Sequence, residues 1–118
     1  PETMRDRFIE VYGLTYADAS QLVSDRDLAE FYETTARVTA NPKLSANWIL
    51  GEFTREINNS GKSVRECLMT AEDLAELLRR VAAGEINNNQ GKEVLVEMFA
   101  TGKNAGTVIG EKGFEQVS

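Results

Sequence analysis

The sequence predicts an all-α fold, a multi-helix bundle of about seven helices whose two clusters, residues 1–60 and 61–118, share one core. Three observations carry that expectation. Apolar residues recur at spacings of three and four along nearly the whole chain, no stretch alternates with period two long enough to form a strand, and capping residues or glycines punctuate the helical stretches.

Taken in order, Phe8, Val11 and Tyr12 form the first apolar stripe, and Gly13 supplies a residue suited to a left-handed stop. Thr15 with Asp18 opens a short helix carrying Ala19, Leu22 and Val23. Ser24 with Asp27 reads as the next cap, ahead of Leu28, Phe31, Tyr32, Thr35 and Ala36. Asn41 is then an N-cap, and Pro42 fits the first helical position, where a missing N–H costs nothing.

The helix that starts there, NPKLSANWILGEFTREINNSG, is the most informative segment of the chain. At ~100° per residue, Ala46, Ile49, Leu50, Phe53 and Ile57 share one side, whereas Leu44 and Trp48 project from nearly the other. A helix with two apolar flanks is expected to run between two layers of neighbours and to organise the domain. Gly61 ends it.

In the second cluster, Ser63 with Glu66 starts one turn before Cys67, and Thr70 with Asp73 caps a helix built on Leu74, Leu77, Leu78 and Val81 that Gly84 closes. Asn87, Asn88 and Asn89 mark a polar turn. Val94, Leu95, Met98 and Phe99 give another stripe ending at Gly102, and Asn104 caps a last short helix through Val108 and Ile109, stopped by Gly113.

A length of 118 residues, with 42% hydrophobic and 8% aromatic residues, suits one compact helical domain. The charge count of 13 basic against 19 acidic residues, a net of −6, lacks the basic excess of an independent nucleic-acid binder, whose affinity for phosphate comes largely from Lys and Arg. Any contact with RNA is therefore expected to be local or assisted by a larger assembly. The chain has no histidine, which removes the commonest general base and transition-metal ligand, and its one cysteine, Cys67, rules out an internal disulfide. Cys67 is expected to be a small buried apolar residue. This inventory argues against an enzyme, and neither a membrane span nor a signal peptide is legible. The chain opens on Pro1, which leads to the expectation of a piece of a longer polypeptide.

Several strings in fixed order carry a family resemblance: RDRFIEVYGLTYADASQLVSDRDLAEFYE, NPKLSANWILGE, GKEVLVEMFATGK and IGEKGFEQVS. Together they resemble the GatB/YqeY family, the C-terminal helical region of bacterial aspartyl/glutamyl-tRNA amidotransferase B subunits, over essentially the whole chain. Glycine stands at Gly91 and at Gly106 where the family pattern has helix formers, and each is expected to loosen its helix by ~1 kcal/mol relative to alanine. The resemblance also implies a small tail subdomain beyond Ser118.

The resemblance implies a role in indirect aminoacylation in the cytoplasm. The B subunit would phosphorylate the misacylated side chain of Glu-tRNA(Gln) or Asp-tRNA(Asn) with ATP and Mg2+, and the A subunit would supply ammonia from glutamine. The kinase site belongs to an N-terminal domain, so no catalytic or metal residue and no cofactor is carried over to this segment. What remains is a non-catalytic helical arm that binds tRNA weakly alone and meets the A and C subunits through the parent protein. The competing reading is an acidic, all-helical adaptor that recruits a basic protein.

Candidate tRNA contacts are Lys43, Asn47, Lys62, Arg79, Arg80, Lys92 and Lys103. Lys43 and Asn47, with Thr54 and Asn58, fall on one polar face of the central helix and could present donors to phosphate or ribose. Arg79 and Arg80 form a basic pair, although Glu76 three and four residues earlier accounts for them as ordinary ion pairing. Lys62, Lys92 and Lys103 stand at loops or helix starts. Trp48 is expected to anchor the core rather than stack on a base, and Tyr12, Tyr16 and Tyr32 to pack with one wet edge. Asp25, Asp27 and Glu30 cluster where they complement a helix macrodipole.

Overall fold

The computed structural model of the chain describes residues 3–115, and the segment 116–118 of the string IGEKGFEQVS lies outside them. The described residues form α1 Met4–Tyr12, α2 Tyr16–Val23, α3 Arg26–Thr39, α4 Pro42–Trp48, a π segment Ile49–Phe53, α5 Thr54–Ser60, a 3-10 turn Val64–Glu66, α6 Ala71–Ala82, α7 Asn88–Thr101 and α8 Ala105–Lys112. Because α4, the π segment and α5 join without a break, these segments make seven rods, as the helical spacing predicted. No strand occurs among the described residues.

Most boundaries follow from side chains that satisfy orphan amides. Thr15 Oγ1 accepts from Asp18 N and Asn41 Oδ1 from Leu44 N, a reciprocal capping box forms at Thr70 with Asp73, and Glu66 Oε1 accepts from Ser63 N at the 3-10 turn. Two caps differ from expectation by one position or more. Asp25 rather than Ser24 starts α3, its carboxylate accepting from Asp27 N and Leu28 N; Ser24 instead closes α2, donating to Gln21 O. Asn87 is the cap of α7, and Asn88 and Asn89 already lie in its first turn rather than in a loop. Helix ends are left-handed glycines at Gly13, Gly61 and Gly102, but α3 ends on Ala40 at φ +54°, a position where a Cβ is crowded.

The helix that gathers the others is α3. It packs most extensively on α6 and also touches α2, α4 and the 3-10 turn, so the central rod is one of its neighbours and not the organiser. The rod is nevertheless sandwiched. Its first part lies against α3 and α6, and its π segment against α2 and α7. Phe53 is fully buried, stacked on Phe31 at 4.3 Å and edge-on to Phe99 at 6.1 Å. Trp48 is only 7% exposed and points its ring at Gly91 of α7, which confirms it as a core anchor.

Gly91 is the receptor for that ring. A Cβ there would stand 2.9 Å from Trp48 Cη2 and 2.9 Å from Val81 Cγ2. Alanine would not tighten α7 as expected, because the volume it needs is already filled. At Gly106 the nearest atom to such a Cβ is Arg80 Nη2 at 3.2 Å, the far end of a flexible side chain.

One contiguous apolar core runs from Phe8 to Ile109 and draws on residues from both clusters. Loop residues Leu14, Met69 and Ile86 belong to it, although no helical spacing identifies them. Val11 does not: it is 64% exposed, and Phe8 alone of α1 is buried. Tyr32 is buried and donates to Pro42 O at 3.0 Å, tying α3 to the start of the rod. Ser45, also buried, donates to Asn41 O at 2.9 Å and meets Thr39 Oγ1 at 2.9 Å. At the outer edge, Arg7 forms a two-armed ion pair with Glu33, which Tyr12 Oη joins at 2.8 Å. The guanidinium holds the Glu33 carboxyl below the usual carboxylate range, and desolvation pushes the Tyr12 phenol up. The described residues form a slab of about 50 × 32 × 18 Å.

Candidate nucleic-acid interface

The rod places Lys43 and Asn47 one turn apart at its start, both exposed. They border a hollow of about 230 Å³ whose other walls come from the α1–α2 turn, Gly13 to Thr15, and from Asp18 of α2. Leu14 and Ala46 form its buried floor. The turn is fixed by Gly13 at φ +69° and by two backbone bonds, Gly13 N–H to Ile9 O at 3.1 Å and Leu14 N–H to Phe8 O at 3.4 Å. Lys43 lies along this turn, with its Cε 3.8 Å from where a Cβ on Gly13 would stand.

Thr54 and Asn58 do not extend that polar face as their spacing predicts. The π segment between them and Asn47 inserts an extra residue into the winding, shifting the phase by about 100°. Thr54 Oγ1 is turned back onto its own helix, donating to Leu50 O at 2.8 Å.

The remaining candidates are dispersed and mostly neutralised. Lys92 Nζ lies 3.8 Å from Glu52, Lys103 Nζ is 3.1 Å from both Glu111 oxygens, and Arg80 meets Glu76 at 3.2 Å and Glu85 at 3.8 Å. Arg79 is exposed beside Arg80, and the two share a hollow of about 520 Å³ with Glu76 and Glu85. Lys62 follows Gly61 at the far end of the rod, beside a hollow of about 320 Å³ that also contains Glu56 and Asn59. Exposed ion pairs of this kind are worth ~0–1 kcal/mol, so a phosphate could displace the carboxylates, but only by leaving them unpaired beside it. The structure thus brings Lys43 to Asn47 and Arg79 to Arg80, and sets the other three apart from them at separate hollows or ion pairs.

Sequence reasoning missed one exposed aromatic. Tyr16 is 63% exposed rather than packed, with the Arg5 guanidinium 4.7 Å above its ring. Its position directly after the Thr15 cap explains this, since the first residue of a helix has no preceding turn to lie against. Cys67 is half-buried; burial pushes its thiol up, and Sγ donates to Met69 O. Of the acidic trio, Asp25 is used in capping and Glu30 pairs with Arg26 at 3.5 Å. No helix of the described residues is long and apolar enough to cross a membrane.

Comparison with known proteins fits this all-helical architecture. The pattern of the GatB domain family, GatB_Yqey, matches residues 30–118. Over all 118 residues the chain is 38% identical to the B subunit of the aspartyl/glutamyl-tRNA(Asn/Gln) amidotransferase from Carboxydothermus hydrogenoformans, 40% to that from Caldanaerobacter subterraneus subsp. tengcongensis and 42% to that from Treponema denticola. It spans only 24%, 25% and 24% of those relatives' lengths, respectively. With the family pattern covering residues 30–118 and these relatives 38–42% identical over all 118 residues, the chain belongs to the GatB domain family.

Proposed function

We propose that the chain is a non-catalytic helical arm of the B subunit of a tRNA-dependent amidotransferase, helping to dock misacylated Glu-tRNA(Gln) or Asp-tRNA(Asn) for ATP-dependent amidation during translation in the cytoplasm. The observation that carries this reading is the match of the full chain to about a quarter of a named B subunit. The slab shape and the acidic balance support it: a long plate with a few free cations suits a support that contributes local contacts while other parts of the enzyme supply most of the affinity.

ATP and Mg2+ would serve the parent enzyme's kinase step. No residue of this segment is assigned to holding Mg2+: the described residues contain no group of three or more His, Cys, Asp or Glu side chains placed to hold a metal ion, and the kinase step is attributed to other parts of the parent protein. The A and C subunits would be reached through the parent protein.

The test compares tRNA binding by the complete B subunit, by the same protein lacking this arm, and by the arm alone. The arm alone is expected to bind weakly, with a shallow dependence of log K on log salt, and its removal is expected to weaken the complete protein at least tenfold. Undiminished tRNA binding by the armless protein would overturn the reading. Capture of a basic protein by the arm, with tRNA affinity unaffected by its removal, would favour the adaptor.

A further inference from the structure

We propose that the hollow between the α1–α2 turn and the start of α4 is a subsite for one ribonucleotide unit of an RNA backbone, with Lys43 and Asn47 donating to its phosphate and its 2′-hydroxyl donating to Asp18. This rests on the reading of the chain as a tRNA-docking arm and names where and how the sugar-phosphate is met.

Four features single out this hollow. First, its polar groups are free: among the described residues no ion pair or hydrogen bond engages the Lys43 ammonium, the Asn47 amide or the Asp18 carboxylate, in contrast to Lys92, Lys103 and Arg80. Thr15 Oγ1 already accepts from Asp18 N, which leaves its O–H as a further donor. Second, the donor set matches one sugar-phosphate. A cation and an amide suit a phosphate oxygen, and a carboxylate is an acceptor for the hydroxyl that distinguishes RNA from DNA.

Third, the size fits. About 230 Å³ with an exposed rim is too small and too open to enclose a free metabolite, whose pockets run to ~300–1,000 Å³ and bury most of the ligand. It suits one unit of a polymer held elsewhere as well. Fourth, the site is pre-formed. Three elements build it over the buried Leu14 and Ala46, and its turn is locked by the left-handed Gly13. The Lys62 hollow offers similar groups, but it lies beside α5, none of whose residues is buried.

The test uses the complete B subunit and measures its affinity for tRNA across a salt series, and for RNA against the 2′-deoxy strand of the same sequence. Lys43→Gln is expected to weaken tRNA binding about fivefold and to reduce the salt slope by ~0.7–0.9, the share of one phosphate. Asp18→Ala is expected to keep that slope and to lower the preference for ribose over deoxyribose at least threefold. Lys112→Gln, an exposed lysine in the last turn of α8, controls for general loss of charge. Full affinity, slope and ribose preference in both variants would overturn the subsite while leaving the arm reading intact, provided that deletion of the arm still weakens tRNA binding. If that deletion has no effect, both fall together. A ribose preference unchanged by Asp18→Ala, beside a lowered slope in Lys43→Gln, would overturn the sugar-reading role of Asp18.

Discussion

The two ends of the central rod are built on different principles. Before and through the π segment, Ser45, Ala46, Trp48, Ile49 and Phe53 are buried and neighbours lie on both flanks. After it, α5 has no fully buried residue, Ile57 being only partly buried against the core, and it ends in the exposed run from Asn58 to Gly61. Sequence alone makes the two halves look alike, since Ile57 continues the spacing of Ile49 and Phe53. The difference teaches that an apolar stripe marks a capacity to pack, whereas burial needs a partner. A π segment that rotates the stripe decides how far along the rod partners are met.

The most severe way to test that contrast is to delete equivalent anchors. Phe53→Ala removes a fully buried ring stacked on Phe31 and should cost about 3–5 kcal/mol, read from the denaturant midpoint at constant m, whereas Ile57→Ala should cost ~1 kcal/mol or less. Equal losses would erase the distinction between the two ends.

Next in size is Gly91→Ala. The crowding against Trp48 and Val81 predicts destabilisation by about 1–3 kcal/mol, and the smaller ring of Trp48→Phe in the same chain should recover part of it in a double-mutant cycle. A stabilised Gly91→Ala variant would mean that propensity outweighs packing there. At Gly51, within the π segment, a Cβ meets nothing within 4 Å. Gly51→Ala should therefore stabilise by about 0.4–1 kcal/mol, the opposite sign from Gly91 on the neighbouring helix.

A smaller, pH-dependent effect is expected at the α1–α3 edge. Arg7 lowers the Glu33 pKa in the folded chain relative to an unfolded value of about 4.3, so the ion pair contributes its stability above that value. The contribution is lost as pH falls through the lower, folded pKa. Urea midpoints measured from pH 7 to pH 3 should fall more steeply for the wild type than for Glu33→Gln. Identical profiles would remove the pair from the account. The side chains here are partly exposed, which keeps the effect modest.

Helix existence was legible because it depends on neighbours in sequence. Thr15, Asn41, Ser63, Thr70 and Asn104 each cap the helix assigned to them, and the glycine stops fall where expected. Ser24 and Asp25 are both competent caps one residue apart, and only the three-dimensional exit from α2 chooses between them. The π segment left no sequence signal. The outward turn of Val11 and the burial of Leu14, Met69 and Ile86 depend on where other helices arrive. At the candidate interface, exposure of Lys43 and Asn47 could be read from spacing, but Asp18 and Gly13 could not be joined to them, because their proximity is a product of tertiary folding. The carboxylates that neutralise Lys92 and Lys103 were likewise hidden in distant positions, Glu52 and Glu111.

The thickness of 18 Å has a mechanical consequence. Two helix diameters of ~10 Å already take up all of it, so there is room for no more than two helix layers with one layer of interlocked side chains between them and solvent close on either side. A force applied to one broad face is transmitted to the other across one such contact. Whatever presses on the plate is felt, almost without attenuation, by whatever rests against its back.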